Sequence, residues 1–170
     1  MAATGFRYRE NGNADANRIF VEIVLADSTA FDVGNAVKLS AGTLVLWGVG
    51  GTGLGIIESF VKADGSPVTD NGAGGDFSGT YTTSASNTVL AKIDISTTSI
   101  YSVGADATLG TTNNSDDYGV NCDCLADSDQ LDESSTEVAG TSASFFSHGP
   151  DPDSPTDTML VSIQESMYKI

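Results

Sequence analysis

The residues of this chain most suggestive of chemistry are Gly48-Val49-Gly50-Gly51-Thr52-Gly53, which satisfy G-x-G-x-x-G directly after an apolar run. In a dinucleotide site the last glycine opens a helix whose N-terminus holds the pyrophosphate. Here the chain continues Leu54-Gly55-Ile56-Ile57-Glu58-Ser59-Phe60-Val61. A further glycine and a β-branched run point to a strand instead. The glycines are therefore expected in a hairpin turn, where they supply positive φ without a Cβ clash. No Walker-A lysine follows them, and no cofactor is expected.

The single imidazole, His148, would have to be the base of any hydrolytic triad, yet no G-x-S-x-G elbow is present. Cys122 and Cys124 are spaced C-x-C, which puts both on one face of a strand. No local signature pairs either with His148. A metal site would need further Cys or His ligands, so two reduced, partly buried thiols are expected. Gly72-Ala73-Gly74-Gly75-Asp76-Phe77 matches part of a calcium-binding nonapeptide that works only in tandem. The acidic loops 127–133 and 151–157 could hold a hard cation weakly, but EF-hand spacing is not met. With 23 acidic residues, some carboxylate pairs fall at glycosidase-like separations by chance. The expectation is a protein that is not an enzyme and holds no metal.

The elements around these residues are read from charge and period. The chain of 170 residues has seven Lys plus Arg against 23 Asp plus Glu, a formal charge of -16. Such a charge repels a phosphate backbone and an anionic membrane surface, so neither nucleic acid nor membrane is an expected partner. No stretch has the length of a membrane span, and the first 18 residues carry no apolar leader. All three arginines, Arg7, Arg9 and Arg18, lie in those 18 residues together with Phe6 and Tyr8. Residues 1–17 show no helical period and read as an extended arm whose removal would leave a single β domain, 18–170, folded.

Within that domain, β-branched residues alternate at period two in 18–26, 88–96 and 159–164. Shorter candidates are 43–49, 54–62, 99–103, 118–125 and 142–148. This predicts an all-β fold, a small sandwich or barrel of about eight short strands, with one helical turn compatible with 29–37. The connections 63–79, 126–136 and 148–157 are long and polar, which favours functional or mobile loops.

Taken together, the opening arm with RIFVEIVLA, the glycine-punctuated FDVGNAVKLSAGTLVLWGVGGTGLGII and the closing DPDSPTDTMLVSIQES resemble the decoration, or cement, proteins of tailed-bacteriophage capsids. The resemblance spans most of the chain and includes no diagnostic motif. It implies a virion structural protein, assembled in the host cytoplasm, that binds the outer capsid surface and bridges neighbouring major capsid protein subunits. It also implies a homo-oligomer, with a trimer favoured. The expected capsid contacts are Phe6, Arg7, Tyr8, Arg9 and Arg18, since arginine and aromatic residues anchor buried interfaces. The alternative is a head-fibre or adhesin-like β module recognising a host-surface glycan or protein.

Overall fold

A computed structural model describes residues 5–11, 18–48, 53–106, 109, 118–124, 129–137 and 145–164. They form thirteen strands and no helix: Arg7–Asn11 (β1), Phe20–Val24 (β2), Ala30–Asp32 (β3), Ala36–Ser40 (β4), Thr43–Leu46 (β5), Gly55–Val61 (β6), Thr80–Thr82 (β7), Leu90–Asp94 (β8), Ser99–Ala105 (β9), Tyr118–Cys124 (β10), Gln130–Glu137 (β11), Phe145–Pro150 (β12) and Thr158–Ile163 (β13). One sheet runs β1-β9-β11-β10-β12-β13, with β13 also pairing back onto β9. A second runs β2-β8-β6-β4-β5, and β3 with β7 makes a two-stranded ribbon. The whole is a β-sandwich rather than one closed barrel.

The middle of the second sheet is covered on both faces, and its sequence shows why. Neighbouring residues on a strand point to opposite faces. Ala36 and Ile56 enter a core shared with the first sheet, beside Trp47, Tyr101, Phe145 and Met159. Their neighbours Val37 and Ile57 enter a second core with Phe31, Phe60 and Ile93, near Tyr81 of the ribbon. A strand buried on both faces reads as a continuous apolar run, which accounts for Gly55-Ile56-Ile57 where alternation breaks down. Each large side chain so buried stabilises the fold by roughly 1.5–3 kcal/mol before entropy is counted. The β4–β5 hairpin pairs Ser40 with Thr43 across Ala41 and Gly42, both at positive φ. Two such residues make the tight turn whose twist matches the flanking strands.

The eight strands expected from sequence correspond to β2, β5, β6, β8, β9, β10, β12 and β13. Residues 29–37 hold β3, a turn and the start of β4 rather than a helical turn. The polar stretch 126–136 is not all loop, because β11 begins at Gln130 and pairs with β10 and β9. Part of the supposed free arm is likewise an edge strand: β1 pairs antiparallel with β9. Removing residues 1–17 would therefore take a strand and a core phenylalanine with it.

Candidate docking site at the sheet junction

Strand alternation divides the five arm residues between three environments. Phe6 is 4% exposed, stacked on Phe145 at 4.7 Å and edge-on to Tyr101 at 6.3 Å. It belongs to the core of its own chain and presents no surface to a partner. Tyr8 points to the same side but lies further out, 37% exposed, with its ring 6.3 Å from Tyr101. Arg7 and Arg9 occupy the opposite, outer face of the first sheet. The ladder skips Arg9, since Tyr8 faces Tyr101 while Glu10 faces Ile100. Bulges of this kind re-aim one side chain, and Arg9 turns onto Asp151 and Asp153.

Arg18, just before β2, sits at the junction of the sheets. Its Nε donates to Asp94 at 2.7 Å and its Nη2 donates to Glu58. Asp94 ends β8 and is fully buried. Its Oδ2 also accepts from the Ser99 hydroxyl at 2.8 Å and the Tyr101 hydroxyl at 2.6 Å, and its Oδ1 accepts the Ser96 amide at 2.9 Å. One carboxylate thus joins the last residue of a second-sheet strand to two residues of β9 in the first. Burial opposes the charge of Arg18, but Asp94 and Glu58 outweigh it and hold the guanidinium above its ordinary range. Burial, reinforced by the Asp94 charge, pushes the Tyr101 phenol well above its usual value.

Anchored in this way, Arg18 lies over the Tyr8 ring at 3.9 Å and the Phe20 ring at 4.9 Å, and Lys92 covers Phe20 at 4.3 Å. Tyr8, Arg18, Phe20 and Lys92 form a ladder of alternating rings and cations, with exposed Ile19 beside it. Each ring–cation contact is worth on the order of 0.5–2 kcal/mol. Exposed aromatic side chains are thereby held in place before any partner arrives. Phe20, Lys92, Glu58 and Asp94 escaped the sequence reading. The only signal for Asp94 was a carboxylate at the end of an apolar strand.

The outer face carries a second polar cluster. Asp151 is buried and accepts from Ser102 Oγ at 2.6 Å, the Asp153 amide at 3.0 Å and Arg9 Nη2 at 3.0 Å. Burial alone would raise its pKa, but Ser102, the Asp153 amide and the Arg9 charge together hold it below the ordinary carboxylate range. A carboxyl that titrates lower folded than unfolded stabilises the fold above the unfolded value of about 3.9, and this contribution fades as pH falls through the folded value. Asp151→Asn should cost about 1–3 kcal/mol at neutral pH. Urea midpoints of variant and wild type should converge as pH is lowered below about 4. A constant gap down to the most acid pH would show that the carboxylate's charge contributes nothing.

No family model, curated protein or solved structure matches the chain. Function has to be read from the sites themselves. His148 Nε2 lies 3.0 Å from Ser162 Oγ, a pairing of base and hydroxyl. It is the exposed residue of β12, and partial burial holds the imidazole below its usual range. Among the described residues no carboxylate bonds its other nitrogen. Cys122 is buried in the shared core. The Cys124 side chain lies outside the described residues, as do residues 49–52 of the glycine run. In the loop 63–79, turn carboxylates and amides cap their own backbone. Asp64 accepts from Ser66 N and Oγ, Asp70 from Gly72 N, and Asn71 from Ala73 N and Gly75 N. Among the described residues no three His, Cys, Asp or Glu groups gather as metal ligands.

Proposed function

We propose that this chain is a structural docking protein that binds the outer surface of a phage capsid through the corner formed by β1 and β2, bridging neighbouring major capsid protein subunits. The observation that carries this reading is the Tyr8–Arg18–Phe20–Lys92 ladder. Interface hot spots are tyrosine, other aromatics and arginine, most effective when ordered in advance. The Arg18 network supplies that order from inside the protein. The surrounding acidic surface favours solubility of the free chain and discourages promiscuous contact. The virion surface as location and a homo-oligomer as the docking unit belong to the same proposal.

The test uses variants that leave the core intact. Phe20→Ser and Lys92→Glu alter partly exposed side chains outside both cores. Each is expected to weaken co-sedimentation with undecorated capsids at least tenfold, about 1.4 kcal/mol, while the variant stays folded, with a melting temperature lowered by only a few degrees through the lost ring–cation contacts. Full occupancy by the double variant would sink the ladder as the docking surface. No binding by wild type would sink the capsid reading itself.

A further inference from the structure

An open cleft of about 340 Å³ lies between β1 and the connection that follows β12, and it adjoins the docking corner, since Tyr8 is among the residues that line it. Arg7, Arg9, Ser102, Asp151, Asp153 and Ser154 line it. We infer that this cleft binds a sugar acid, with the ligand's carboxylate on Arg7 and its hydroxyls on Asp153 and Ser154.

The cations of β1 and its neighbourhood are treated unequally. Arg18 bonds two carboxylates, and Arg9 bonds two through Nη2 alone. Exposed Arg7 makes no ion pair or hydrogen bond with any described residue. Its guanidinium offers a planar fork of donors suited to a carboxylate. The wall beside it is rigid, because Asp151 is buried and triply bonded and Arg9 is tied down on it. Nε and Nη1 of Arg9 make no bond to a described residue, so they too can donate inward.

The lining also narrows the ligand class. Asp153 keeps its carboxylate largely in solvent, 76% exposed. A bare dicarboxylate or a phosphate would gain Arg7 but would face Asp153 and Asp151 with like charge. A neutral sugar would satisfy Asp153 and Ser154 but leave Arg7 without its counter-charge. A monoanion carrying hydroxyls satisfies both, since its hydroxyls donate to Asp153 while its carboxylate accepts from Arg7. The volume lies at the small end of ligand sites and suits one or two sugar rings. With an open mouth and few contacts, affinity on the order of millimolar is expected.

The probe is D-glucuronate titrated into the full chain up to tens of millimolar, followed by saturation-transfer NMR and calorimetry. Glucose, glutarate and inorganic phosphate serve as comparators. Glucuronate is expected to bind at least tenfold more tightly than each comparator, and Arg7→Ala to weaken it at least tenfold. Arg7→Lys, which keeps the charge but loses the fork, should fall between. Phe20 does not line the cleft, so Phe20→Ser should leave glucuronate binding unchanged while it weakens docking. Arg7 is exposed, so its variants should keep the wild-type melting temperature. Absence of glucuronate binding, equal binding by Arg7→Ala, or equal binding of glutarate or phosphate would each overturn the inference.

Discussion

Asp94→Ala is expected to lower the free energy of unfolding by about 3–5 kcal/mol, the range for removing one partner of a buried charged network. The reason is what the substitution leaves behind. The Arg18 guanidinium would keep only the half-buried Glu58, and the Ser96 amide and the Ser99 and Tyr101 hydroxyls would each lose the acceptor they use now. Desolvated donors without acceptors cost about 1–3 kcal/mol apiece when no water replaces the loss. Asp94→Asn should recover only part of this, because its amide nitrogen would point a donor at donors. Tyr101→Phe removes one member and should cost about 1–2 kcal/mol. Denaturant titrations of the three variants give the order directly. The Tyr8–Phe20 ladder rests on Arg18, so Asp94→Ala should also reduce the proposed capsid binding at temperatures where the variant is still folded. A stability loss under about 1 kcal/mol would mean the network is solvated rather than buried.

The strands with apolar alternation were legible because one buried face imposes period two, as in Val89, Ala91, Ile93 and Ile95. Those set by pairing rather than pattern were not. Strands β3 and β7 have three residues each, too few to show a period, and β11 has one described core side chain, Leu131. The arm residues were marked by composition. Their separation into core, corner and outer face follows from alternation combined with the bulge at Arg9, and a bulge has no local sequence signature. Phe6 read as a surface anchor because nothing near it in sequence reveals that Phe145 lies 4.7 Å from it in the fold. The partners of Arg18 are 40 and 76 residues away in sequence, so no window could have joined them.

The glycine run offers the second large effect. A Cβ on Gly53 would fall on the six-membered ring of the Trp47 indole, and one on Gly55 would meet the Asp94 carbonyl. Trp47 cannot easily give way. It is fully buried, its amide donates to the Ala36 carbonyl at 2.9 Å and its ring lies 5.0 Å from Phe145. Gly53→Ala is therefore expected to cost about 3 kcal/mol, the upper part of the usual range for overpacking. Trp47→Leu alone should cost about 2–4 kcal/mol through the cavity it opens. In combination the two should cost less than their sum by at least about 1 kcal/mol, because the smaller side chain makes room for the new methyl. Gly42→Ala is the control: its Cβ would meet nothing within 4 Å, so only its positive φ of 88° is strained. Additive costs at 53 and 47 would refute the packing account. If G-x-G-x-x-G held a pyrophosphate instead, Gly53→Ala would abolish binding of ADP at unchanged stability. A large fall in stability together with coupling to Trp47 assigns the last glycine of the motif to the ring packed against it.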